Sequence, residues 1–183
     1  MDDLSLFVLD IVQNAIVAEA EDIAVAIRED SSQDTLVLTV VDDGRGMDPM
    51  TVERAVDPFF TTRTTRKVGL GLPFLMMAAE LADGSFAIES DPGVGTVVEA
   101  RFVRSHVNTP PLGDMAESLY TICLHQNVRE FRYAHVCDGR RFDFSLGEIR
   151  TILDGVPLTA AGIGAYLKSY IKEHIITTRG EYR

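Results

Sequence analysis

Apolar residues recur at helical spacing near the start of the chain: Leu4, Val8, Ile11, Ala15 and Ala18. That period predicts an amphipathic helix over 3–19, with Asp10 and Asn14 one turn apart on another face. Ile23, Val25 and Ile27 then alternate with small or polar neighbours, the pattern of a half-buried strand. The polar run from Glu29 to Asp34 reads as a turn, and Thr35 to Val41 as a second strand. A short helix is expected over 49–55, and a longer one over 70–82, stopped at Gly84. Phe86 to Glu89 and Val97 to Phe102 form a strand pair around the turn Asp91-Pro92-Gly93-Val94-Gly95-Thr96. Helices on one face of a mixed sheet make a two-layer α/β sandwich.

Beyond Thr109-Pro110-Pro111, where two prolines resist both helix and strand, a second set of elements follows. A helix is expected over 112–124 and a strand over 128–137. The Asp138-Gly139 pair is a strong hairpin signal, returning the chain into Arg141 to Phe144. Ser145 with Glu148 three residues on is a capping box that opens a short helix. The last helix, over 160–175, carries a broad stripe of Ile163, Tyr166, Leu167, Tyr170, Ile171 and Ile175.

Charge sharpens this division. The chain has a net charge of −11, and residues 1–105 carry all of it with 19 acidic against 8 basic residues. Residues 106–183 hold 9 of each, together with every histidine, tyrosine and cysteine. Two units are therefore expected, 1–105 and a small α+β unit over 112–183. An acidic chain does not bind nucleic acid through bulk charge. The longest apolar stretch is broken by Pro73 and Glu80 and is too short to span a bilayer. Met1-Asp2-Asp3 has the wrong charge for a targeting peptide, and the two cysteines are expected as reduced thiols in the cytoplasm. One segment departs from the acidic background. No acidic residue occurs from Pro58 to Ala79, yet Arg63, Arg66 and Lys67 fall within five positions.

Candidate chemistry lies in a fixed order of polar and glycine-bearing segments. The first is Asp10-Ile11-Val12-Gln13-Asn14-Ala15 on the leading helix. The second, Asp42-Asp43-Gly44-Arg45-Gly46-Met47, follows a strand directly. The third runs from Asp57-Pro58-Phe59-Phe60-Thr61-Thr62 through the basic island into Gly69-Leu70-Gly71-Leu72. The fourth is Gly93-Val94-Gly95-Thr96. Each alone has an ordinary structural explanation: a solvated asparagine, a tight turn, a glycine pair packed in a helix. Their joint occurrence on the right elements points to a nucleotide site.

This set resembles the N, G1, F, G2 and G3 boxes of the Bergerat-fold ATPase superfamily that includes DNA gyrase, the heat-shock chaperone, histidine kinases and MutL. The resemblance covers residues 3–103. It implies ATP or ADP with Mg²⁺ as ligands. Asp42 takes the place of the acid that accepts a hydrogen bond from the adenine amino group. Gly44 and Gly46 let the backbone approach the base, and Thr96 holds the position that supports the adenine. Asn14 matches the asparagine whose side-chain oxygen coordinates Mg²⁺. Gly69 and Gly71, with Leu70 and Leu72, open a helix whose N–H groups face the phosphates, beneath a lid carrying Arg63, Arg66 and Lys67.

Four departures stand out. Lys67 and Val68 occupy places where the kinase branch usually carries a further glycine, and the lid, Thr61 to Val68, is short. The glutamate that activates water in the gyrase and MutL branches is here Asp10, either a general base or a helix-surface acid. The leading helix opens at the N-terminus, so no phosphoacceptor helix is expected ahead of it. The expected function is a stand-alone, histidine-kinase-like ATP-binding regulator, with a protein partner or a second copy bound through 112–183. The alternatives are a MutL-like ATP-driven clamp and a nucleotide-binding subunit without turnover.

Overall fold

The structure, a computed structural model, describes residues 3–57 and 71–181. Six strands form one sheet: β1 (Asp22–Asp30), β2 (Thr35–Asp42), β3 (Ser85–Asp91), β4 (Gly95–Val103), β5 (Glu130–Cys137) and β6 (Arg140–Ser145). Their spatial order is β3-β4-β2-β1-β5-β6. All neighbours run antiparallel except β1 and β5, which are parallel with Ile23 beside Phe131.

Alternation along these strands sends one set of side chains into the core. Ile23, Val25 and Ile27 of β1, Leu36, Leu38 and Val40 of β2, and Phe131 and Tyr133 of β5 are buried. Against this face lie α1 (Leu4–Val17), α3 (Gly71–Leu81), α4 (Met115–Cys123) and α6 (Ile163–Arg179), whose buried residues join one continuous cluster. Two shorter helices complete the set among the described residues, α2 (Pro49–Ala55) and α5 (Leu146–Leu153). The result is the two-layer α/β arrangement that the hydrophobic periods imply.

Local chemistry starts and stops the elements. Asp3, Asp48 and Asp114 cap α1, α2 and α4 by accepting the N–H of Leu6, Thr51 and Glu117 at 3.0, 2.8 and 3.0 Å. Each of these bonds satisfies one orphan donor of a first turn. The Ser145 hydroxyl does the same for Glu148 N–H at 3.2 Å. Asp138 and Gly139, with φ of 49° and 82°, make the tight hairpin between β5 and β6.

The composition break near residues 106–111 is not a break in the sheet. Strands β5 and β6 extend the sheet directly from β1, and Leu119, Ile122, Phe131 and Ile171 share a core with Leu4, Val8 and Ile23. The physical reason is the exposed edge that β1 would otherwise present. The apolar stripe of α6 is largely covered in the same way: Leu167, Ile171 and Ile175 are buried, while Tyr166 remains 66% exposed.

A second difference concerns Glu29. The expected turn begins two residues later, because β1 runs on to Asp30. Glu29 is 2% exposed. Its carboxylate accepts from His135 Nε2 at 3.0 Å, from Arg104 Nε at 3.1 Å and from Arg179 Nε at 2.8 Å. Tyr133 hydroxyl and His135 Nδ1 are 2.7 Å apart, so both ring nitrogens are engaged. Burial would raise the Glu29 carboxyl, but His135 and the two guanidinium groups overcome this and hold it at about 2.

Candidate functional site

Strand β2 ends at Asp42, directly beside Thr96 of β4. The Asp42 carboxylate accepts the N–H of Gly44 at 2.9 Å. Burial nevertheless raises its carboxyl above the ordinary value, with the Gly44 and Thr96 N–H groups offsetting part of the effect. Beyond it, the Asp43 carboxylate accepts from both Glu21 and Asp22 N–H at 2.9 Å, tying this loop to the turn between α1 and β1.

Glycine is required here by contact. A Cβ on Gly46, where φ is +65°, would overlap the carbonyl oxygen of Asp91. One on Gly95, where φ is +136°, would overlap that of Asp42. The two loops are therefore nested, and Gly93 N–H donates to Arg45 carbonyl oxygen at 2.7 Å across them. Met47 N–H donates to Ser90 Oγ at 2.9 Å.

These loops form one end of a cavity of 430 Å³, a size that suits a small-molecule ligand. Asp42, Gly46 and Thr96 lie on the sheet side, with Ile11, Asn14 and Ala15 of α1 on another wall. Asp48, Thr51 and Ala55 of α2 and Leu72 of α3 close the rest. The lining sets polar groups in an otherwise apolar surface, which fits a flat heterocycle carrying hydrogen-bond donors.

Helix α3 starts against α1. A Cβ on Gly71 would stand 2.8 Å from Asp10 Cβ, so this glycine lets the first turn of α3 approach Asp10. The N-terminal N–H groups of a helix favour anions, and here they begin beside the helix face that carries Asp10 and Asn14. Asn14 supplies a hard oxygen of the kind Mg²⁺ prefers. Among the described residues no group of three His, Cys, Asp or Glu is placed to hold a metal ion. The residues present fit Mg-ATP on these grounds.

The structure thus brings Asn14, Asp42, Gly46, Leu72 and Thr96 to one cavity. Gly44 braces Asp42 from behind, buried against Ala18. Asp10 is exposed at the mouth of α3. Arg63, Arg66, Lys67, Gly69 and Leu70 lie outside the described residues. Sequence reasoning missed Asp43 and Ser90, which act on neighbours from other elements. It also missed the α2 wall, whose residues carry no glycine or acid motif beyond the Asp48 cap.

A two-layer α/β sandwich with nested glycine loops, a half-buried aspartate and a helix asparagine around one cavity defines a nucleotide-binding domain. Residues 1–106 match the family described as histidine kinase-, DNA gyrase B- and HSP90-like ATPase. The match spans more than half of the chain, and the chain belongs to this family. It is 41% identical over 89 residues to the sensor protein kinase FleS of Pseudomonas aeruginosa, covering 49% of this chain and 22% of that kinase. It is 31% identical over 91 residues to sporulation kinase C of Bacillus subtilis, covering 50% of this chain and 21% of the relative. The chain therefore matches only about a fifth of either kinase's length. A crystal structure of the N-terminal domain of a DNA repair protein superposes with a TM-score of 0.54 at 15% identity, covering 78% of this chain and 52% of that one. At that identity the likeness concerns the fold alone. No helix among the described residues is long and apolar enough to cross a membrane.

Proposed function

We propose that this chain is an Mg-ATP-binding regulator of the histidine-kinase type that phosphorylates a separate cytoplasmic partner or reports nucleotide state to it. The observation that carries this reading is the Asp42 carboxylate, held by Gly44 N–H at 2.9 Å and lining a cavity shared with Asn14. An ionised carboxylate at that point accepts from an adenine amino group. Asn14 stands on the wall that leads toward α3, where a phosphate chain and its Mg²⁺ would be bound. The similarity to FleS and sporulation kinase C supports a kinase-like role over other uses of the fold.

One observation favours a second reading, an ATP-driven clamp with its own hydrolysis. Asp10 lies one turn before Asn14 and beside the first residue of α3. A carboxylate there is positioned to act as a general base toward water. Incubation with γ-labelled ATP, with and without cell extract, separates the readings. Label appearing on a protein of the extract supports the kinase. Label released as free phosphate by the chain alone supports the clamp. Retention of intact ATP under both conditions rejects phosphoryl transfer and hydrolysis and leaves a nucleotide sensor or a nucleotide-binding subunit without turnover.

A further inference from the structure

The cavity touches Thr96 but not Ser90, which stands directly across the ladder from Thr96 on the edge strand β3. Ser90 Oγ has three partners, all at 2.9 Å: it accepts from Met47 N–H, donates to Gly95 carbonyl oxygen, and meets Thr96 Oγ1. A hydroxyl has one proton and two acceptor positions. The Met47 amide can only donate and the Gly95 carbonyl can only accept. All three contacts are satisfied together in one way: Ser90 gives its proton to Gly95, and Thr96 gives its proton to Ser90. That leaves Thr96 with lone pairs alone to offer the cavity.

We propose that Ser90 is a positioning residue for base recognition, fixing Thr96 as an acceptor so that the pocket selects a 6-amino purine over a 6-oxo purine. The proposal rests on the reading of Asp42 as the adenine-binding acid. With Asp42 ionised, two acceptors, Asp42 and Thr96, face the same edge of the base directly or through one water. An exocyclic amino group brings two N–H donors to them. A carbonyl at that place brings only lone pairs and meets an unpaired, partly buried acceptor on the protein. Ser90 thus reaches the ligand without touching it, through the orientation of one proton. It also couples the two nested loops, since the same oxygen holds Met47 of one and Gly95 of the other.

The test compares ADP with inosine diphosphate, which carries a carbonyl in place of the amine, by calorimetry on the full chain. The wild-type protein should prefer ADP. Ser90→Ala frees the Thr96 proton to swing toward the cavity and donate, so the ADP-to-inosine preference should fall roughly tenfold, the weight of one hydrogen bond. Ser90→Thr keeps a hydroxyl on the strand and should restore the preference. In a Thr96→Val background, Ser90→Ala should leave the preference unchanged, since there is no proton left to orient. Proportional weakening of both nucleotides by Ser90→Ala, or a further fall in the Thr96→Val background, would overturn the proposal and leave Ser90 as a structural brace. A wild-type protein that binds both nucleotides equally would instead remove the adenine assignment of Asp42, and this inference with it.

Discussion

The carboxylate of Glu29 on β1 and the guanidinium of Arg179 at the end of α6 lie 2.8 Å apart, although 150 residues separate them in the chain. Arg104, just past β4, reaches the other oxygen of the same carboxylate at 3.1 Å, and His135 of β5 completes the group. One buried acid on β1 therefore joins β5, the residue just past the end of β4 and the last helix. Removing a single partner from such a group leaves the rest uncompensated, which is the costly change.

Stability should accordingly depend on Glu29 and on pH. Its carboxyl is held at about 2 against an ordinary value of 4.5, so folding favours the ionised form. The contribution is complete above pH 4.5 and is lost as pH falls from there toward 2. At neutral pH it is on the order of 3 kcal/mol. Urea unfolding of the wild type and Glu29→Gln should show a gap of that order at pH 7, narrowing steadily below pH 4.5. A gap that stays constant down to pH 3 would show that the carboxylate contributes no net charge stabilisation.

The second prediction concerns residues 106–181, whose strands extend the sheet of 3–105 and whose helices share its core. A chain ending at Ser105 would lose the β5 partner of β1 and the partners His135 and Arg179 of Glu29. It would also lose the Pro111 and Leu112 carbonyls that accept the first N–H groups of α1 at 2.9 and 3.1 Å. It should unfold without cooperativity and bind no ADP. A sharp thermal transition together with retained binding would show that residues 1–105 are self-sufficient.

Asp42→Asn should remove about 1–3 kcal/mol of ADP affinity, the cost of a mismatched buried hydrogen bond. The amide turns a donor or a weaker acceptor toward the base. Because burial raises the Asp42 carboxyl above its ordinary 3.8, wild-type affinity should fall on acidification before pH 3.8 is reached, and Asp42→Asn should lack that fall. Equal affinities for mutant and wild type by calorimetry would exclude Asp42 from the base contact.

Asn14→Ala should weaken ATP binding by at least roughly tenfold with Mg²⁺ present, the scale seen for groups that support a metal, and change it little in EDTA. Equal losses in both buffers would assign Asn14 to packing.

Much of the fold was legible because its signals are local. The period of Leu4, Val8, Ile11 and Ala15 depends only on the geometry of one helix. The Asp138-Gly139 turn and the capping serine at 145 are settled by residues within a few positions of themselves. Gly46 and Gly95 were readable for a related reason: close backbone approach demands glycine there, and Asp42 and Thr96 stand beside these glycines in a fixed order along the chain.

The remainder depended on partners far away in sequence. Glu29 looks like any polar residue leading into a turn, and nothing near it announces Arg104, His135 or Arg179. Ser90 is one serine on an edge strand until β4 places Thr96 opposite it and the nested loop brings Met47 N–H to its oxygen. The change in composition near residue 109 pointed to two units, because charge and aromatic content report surface and local preference. Strand pairing is set instead by which edge is left open, and the edge of β1 is closed by β5. The sequence by itself determined most of the elements and several of the residues that line the cavity. Tertiary structure decided which distant groups hold those residues in place, because burial and proton placement depend on neighbours that only folding assembles.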